Sequence, residues 1–325
     1  MLIRPELRAL RSDDAPQRRA QARLGEVLES WRASPVVAAI DADLHRFGQR
    51  AELDDLPALS ALFDPHDSAA EQLVTDIVAR MLGELQHNAF GQVLFRHSSD
   101  AVQASLMLLR RGTATLALQV VDGAALERRE PPVSVAFAAT ETVERILRGS
   151  GEAEHVQFGA PRPGGAELIR SRRPVISGAV ARRDGASETQ WLCRVEGSLV
   201  SLKLQRRPVS GAVMREYVLA DGNLAHQAAG SSRDSRLELV ASLLSRMERR
   251  DAAPLLAAMA EEQGSTAMRW QVLRECLALD SGEGFRALSL IARRADDPLA
   301  APAGALRAQL LEQYPVLAGV DPCPA

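Results

Sequence analysis

Between residues 174 and 229, apolar and polar side chains alternate with a period of two, and glycine-containing pairs interrupt the alternation. That combination specifies antiparallel strands joined by tight turns. Gly197-Ser198 has the chemistry of a type II′ loop, with glycine first. Folding there predicts a hairpin that pairs Val195 with Val200, Cys193 with Leu202, and Trp191 with Leu204 on one dry face. Arg194, Ser201, Lys203, Gln190 and Gln205 fall on the other face, so a slip of one residue would carry charges into the core. Asp184-Gly185 and Asp221-Gly222 mark two further turns, and Pro208-Val209-Ser210-Gly211 a longer connection. The strands expected are 174–182, 188–196, 199–206, 213–220 and 223–229.

On either side of this meander the period changes. Leu24, Val27, Leu28 and Trp31 have helical spacing, and Ser34-Pro35 opens a second helix to about Phe47. A short helix or turn covers 54–63. Ser68 and Glu71 form a capping-box pattern before Leu73, Ile77, Met81 and Leu85. Residues 102–110 and 113–121 predict a hairpin about Arg111-Gly112, with further strands at 133–139 and 154–158. Val143, Ile146 and Leu147 predict a short helix, and Gly159 to Gly165 a loop. Beyond Gly230, helices are expected at 235–249 (a second capping box, Ser235 to Glu238), from Asp251 to near Gly264, from Ser265 to Leu279, and over 283–294 and 302–313. Their lengths resemble HEAT-like helical hairpins, without self-similarity between units. Runs of helices, strands and helices give an α+β fold. An antiparallel β-sandwich or barrel over about 92–229 is flanked by an N-terminal helical segment and a C-terminal helical stack. The expected domains are 1–90, 91–230 and 231–325.

Hydrophobic residues make up 46% and charged residues 25% of the chain, a globular balance. A net charge of −3 implies no general attraction to nucleic acid or to an anionic membrane. No run approaches the roughly 18 apolar residues of a membrane span, and no apolar segment in the first twenty residues suggests a signal peptide. Cys193, Cys276 and Cys323 are widely spaced, with no CxxC pair, which fits a reducing compartment. The cytoplasm is the expected location. Lys203 is the only lysine among 39 basic residues, a bias that suggests a GC-rich bacterial genome.

Two constellations could carry chemistry. If the strands bearing His97, His155 and His226 lined one barrel, these histidines could converge with Glu154 on a divalent metal. That site would be cupin-like, although the spacing is not that of the cupin motifs. No other cofactor is predicted. Arginines 172, 173, 182, 183, 206 and 207 cluster near turns, and residues 162–207 hold ten basic side chains against four acidic ones. Guanidinium forks hold carboxylates and phosphates, so these six are candidates for ligand or anion binding. Nucleic acid is disfavoured because only 4% of the residues are aromatic. Cys193 is expected to be a small core residue rather than a nucleophile, and Trp270 an inter-helix core residue. The reading that follows is a non-catalytic ligand- or protein-binding or assembly protein of the bacterial cytoplasm. Its partner would be a protein or a small ligand, and a homodimer is one form it could take. The alternative is a cupin-like metal-dependent enzyme or sensor with its site in the β-domain. No motif decides for or against catalysis.

Overall fold

The computed structural model describes residues 13–88, 90–207, 213–229, 231–262 and 264–320. The chain is α+β with antiparallel sheets. Contacts group it into two compact units. The first comprises the described residues within Met1–Val133, Thr140–Arg162 and Ala166–Arg207; the second those within Ser134–Ala139, Pro163–Gly165 and Pro208–Ala325. Among the described residues no helix is long and apolar enough to cross a membrane.

The first unit opens with four helices, α1 (Ala15–Arg32), α2 (Pro35–Gly48), α3 (Pro57–Ser60) and α4 (Ala69–His87). The helical spacing of Leu24, Leu28 and Trp31 on α1 and of Leu73, Ile77 and Met81 on α4 puts each set on one buried stripe. Seven strands form its sheet: β1 (Arg96–Ser99), β2 (Gln103–Arg111), β3 (Ala114–Asp122), β5 (Glu141–Arg162), β6 (Gly165–Ile176), β7 (Val180–Asp184) and β8 (Glu188–Arg206). The short helix α5 (Gly123–Glu127) follows β3, and the Asp122 carboxylate caps it by accepting from the Ala125 amide at 2.9 Å. The strand order is β1-β2-β3-β8-β5-β6, with β7 also paired to β5. The helices cover one face of this sheet, where Trp31, Phe47 and Ile40 meet Leu116, Val143, Leu202 and Leu204 in a single core. Each such fully buried side chain contributes about 1.5–3 kcal/mol.

The structure corrects the expected hairpin at Gly197. The residue does not reverse the chain; it lies inside β8, a single strand of 19 residues, with φ +67. Arg148 pairs with Val200 and Ser150 with Glu196, so β8 advances four residues where β5 advances two, and the surplus forms a bulge. Val195 and Val200 are therefore not partners. Val200 pairs with Val120 and Arg148, Leu204 with Leu116 and Val143, and Trp191 with Glu154. Positive φ at glycine serves a bulge as well as a turn. The choice between them is made by β5, whose 22 residues are long enough to pair with both halves of β8. The expected helix at 140–148 and loop at 159–165 are corrected with it, because β5 runs through Arg162 and β6 begins at Gly165. Residues 142–146 are buried on both faces, and a doubly covered strand loses the alternation that would reveal it.

Both expected capping boxes are also absent. Ser68 makes no cap to the α4 backbone; it accepts from Gln72 Nε2 at 2.8 Å, and Glu71 turns instead to Arg145. In the second unit, Ser231 rather than Ser235 caps α6 (Ser232–Arg246), accepting from the Asp234 amide at 3.0 Å.

That second unit holds a three-stranded sheet of β4 (Ser134–Phe137), β9 (Val213–Val218) and β10 (Leu224–Ala229), in the order β10-β9-β4. In this grouping β4, β9 and β10, read from the sequence with the other strands of 91–230, go with the C-terminal helices. Helices α7 (Ala253–Glu261), α8 (Thr266–Leu279), α9 (Ser281–Arg293) and α10 (Ala300–Gln313) complete the unit. Their core includes Leu256, Val272, Leu273, Phe285, Leu288 and Ile291. The buried Arg269 is held by Asp297 (2.5 Å) and by the Ala260 carbonyl (2.8 Å). Trp270 is partly buried against the same core and borders an apolar groove of about 660 Å³ with Leu277, Leu310 and Leu317. Pro208 to Gly211, Gly230 and Cys323 lie outside the described residues.

Candidate functional site

The bulged β5 and β8 each contribute to two halves of the sheet, and those halves face one another across a cavity of about 670 Å³. That is a volume suited to a small molecule. One wall is apolar, where Val102, Val121, Ile146 and Leu199 pack together with Leu192 and Val175 around them. Period-two alternation sends Val143 and Arg145 of β5 to the helical face and leaves Glu144 and Ile146 on the cavity face. The same rule on β8 sends Leu202 and Leu204 to the helices, and Ser201 and Lys203 to the cavity.

Glu144 is the centre of the polar wall. Its carboxylate accepts from Arg183 Nη2 at 2.7 Å, Ser201 Oγ at 2.9 Å and Gln190 Nε2 at 3.4 Å, and Lys203 Nζ stands 3.4 Å away. Burial works to raise this carboxyl, but the charges of Lys203 and Arg183 and the hydrogen bonds from Arg183 and Ser201 outweigh it and hold Glu144 below its ordinary value. It is therefore an ionised structural acceptor at neutral pH. Towards the mouth, Glu154 accepts from Arg170 Nε at 2.5 Å, and the Arg170 guanidinium stands 6.0 Å from the centre of the Trp191 ring. Cys193 Sγ lies 3.9 Å from the Glu154 carboxylate. Burial first, and then the Glu154 charge, raise this thiol, the opposite of what activates a nucleophile.

The structure divides the six candidate arginines. Arg172 and Arg183 line the cavity. Their chain neighbours Arg173 and Arg182 are exposed and do not line it, as alternation requires. Arg182 pairs with Asp54 at 2.6 Å. Arg206 is a packing residue: it donates to the Phe47 and Ala51 carbonyls at 2.9 and 3.0 Å, pairs with Glu141, and stacks 4.2 Å from the Phe47 ring. That places a cation at the C-terminus of α2, where the helix dipole favours one. Arg207 is exposed at the end of β8.

The three candidate histidines are not brought together. His97 is exposed on edge strand β1, and His226 is exposed on β10 of the second unit. His155 is 2% exposed and sits 2.6 Å from the Glu188 carboxylate. Its strand neighbour Glu154 lines the cavity and His155 does not, again by alternation. Among the described residues no three His, Cys, Asp or Glu side chains are placed to share a metal ion.

Sequence reasoning missed Glu144, Gln190, Arg170 and Trp191 as cavity residues. One signal was available. Glu144-Arg145 interrupts an otherwise apolar run, and a charge pair flanked by Val143 and Ile146 sends one member to each face of a strand. Lys203 and Ser201 were correctly assigned to a polar face, but that face borders the cavity.

No family model matches the sequence, and no curated protein sequence does either. Solved structures match over part of the chain. The 7S globulin of Momordica charantia is 16% identical over 39% of this chain, with a TM-score of 0.25. Ectoine synthase from P. lautus is 14% identical over 35% of this chain and 70% of its own, with a TM-score of 0.23. A sugar phosphate isomerase from a cupin superfamily, from Silicibacter pomeroyi, is 11% identical over 39% of this chain and 76% of its own, with a TM-score of 0.24. The chain spans 36% of the length of the globulin. At these scores the likeness identifies neither a family nor an activity.

Proposed function

We propose that the chain is a non-catalytic binding protein that takes a small ligand in the cavity between the two halves of its large sheet. The observation that carries this reading is the polar wall around Glu144, hydrogen-bonded by Arg183 and Ser201 and bordered by an apolar wall. A preformed cavity with a few convergent polar groups is the usual form of a small-molecule site. The protonation states support binding over turnover. Glu144 is held ionised by two cations, and the Cys193 thiol is pushed away from its thiolate. Neither is a group poised near neutral pH for proton transfer or attack.

The neutral dye 1-N-phenylnaphthylamine tests this without presuming a ligand charge. It is expected to bind with enhanced emission. Gln119→Trp, which sets a large side chain at a partly exposed cavity position on β3, is expected to weaken that binding by about tenfold or more. Thermal unfolding of the variant checks that it folds. Dye that does not bind, or that binds the folded variant unchanged, would remove the cavity as the binding site.

A further inference from the structure

Resting on that binding role, we infer that the cavity is built for a small organic carboxylate, with its anionic end among Arg172, Arg183 and Lys203 and its apolar body against Trp191 and the aliphatic wall. The charge balance is the first argument. Lys203 and Arg183 share one carboxylate, Glu144, and Arg170 is matched by Glu154. Arg172 stands at the exposed mouth with no carboxylate in ion-pairing distance among the described residues. With Arg129 and Glu130 also on the lining, five cations face three carboxylates. A cavity with unmatched positive charge and limited access to water favours an anion over a neutral guest.

Arg183 supplies the second argument. Its side chain is only 10% exposed, Nη2 is engaged by Glu144, and Nη1 has no hydrogen-bond partner. A buried guanidinium N–H without an acceptor is uncommon, and a ligand oxygen would satisfy it once the cavity wall shifts to uncover Nη1, which solvent does not reach. The planar fork suits a carboxylate. The third argument is the apolar wall, which a bare inorganic anion would leave unfilled and an aromatic or aliphatic body would cover. Trp191, with Arg170 beside it, offers such a body a flat aromatic face.

The test uses 2-naphthoate, its neutral isostere 2-naphthamide and inorganic phosphate, each displacing the bound dye from the full chain. The acid is expected to displace at a concentration about tenfold or more below the amide, and increasingly less well as salt is raised. Arg172→Gln, an exposed position with no structural ion pair, is expected to bring acid and amide within about twofold. Acid and amide displacing equally from the wild-type protein would overturn the carboxylate assignment and leave the binding role standing. Phosphate displacing as well as the acid would overturn the apolar part of the assignment. A dye that never binds defeats the underlying role instead, so the two failures are separable.

Discussion

Arg145→Ala is expected to lower the free energy of unfolding by about 2–4 kcal/mol, from the lost packing of a buried side chain and from two carbonyls left without their donor, with the half-exposed Glu71 adding little. Arg145 is 2% exposed, and its guanidinium ties the sheet to the helices. It donates to the Leu62 carbonyl at 3.2 Å, to the Asp67 carbonyl at 2.7 Å and to Glu71 at 2.8 Å. Alanine would leave these acceptors without their donor and open a cavity under the start of α4. Urea unfolding followed by far-ultraviolet dichroism measures the loss. Arg145→Met, which keeps most of the side-chain volume, separates lost packing from lost hydrogen bonds: it is expected to recover only a minor part. A loss below about 1 kcal/mol for the alanine variant would mean that this arginine does not anchor the helices.

Gly149→Ala carries the second large effect, expected at about 2–5 kcal/mol from overpacking and backbone strain together. Gly149 has φ +99, and a Cβ there would sit 2.4 Å from the Ser198 carbonyl oxygen of β8. Backbone on both sides cannot yield as a flexible side chain could. The substitution therefore presses on the point where the long strands cross at the Gly197 bulge. Gly83→Ala is the control. Gly83 is exposed on α4 with nothing within 4 Å of the added methyl, so helix propensity alone predicts a gain of up to about 1 kcal/mol. Similar behaviour of the two variants in urea would contradict the bulged crossing and favour a hairpin at Gly197.

The elements with a polar face were legible from the sequence. Leu24, Leu28 and Trp31, and Leu73, Ile77 and Met81, mark their helices because the opposite stripe meets water. The β2–β3 hairpin about Arg111-Gly112 was legible because its loop is local. What was hidden is long-range. The residues around Gly197 satisfy a turn and a bulge equally well, and only pairing with β5 decides between them. β5 itself is covered on both faces over residues 142–146, so its pattern carries no period of two. Of the cavity, the arginine pairs and Lys203 gave half the picture: they marked positive charge, and alternation placed one member of two of the three pairs, Arg172 and Arg183, on the cavity. Glu144 was obscured by the helical spacing of Val143, Ile146 and Leu147 around it.

A crystal structure of the full chain with 2-naphthoate tests the central claim most directly. The ring is expected between Trp191 and the Ile146 wall, with its carboxylate within hydrogen-bond reach of Arg172 or of the free N–H of Arg183. Ligand density confined to the groove beside Trp270 and Leu310 would contradict it.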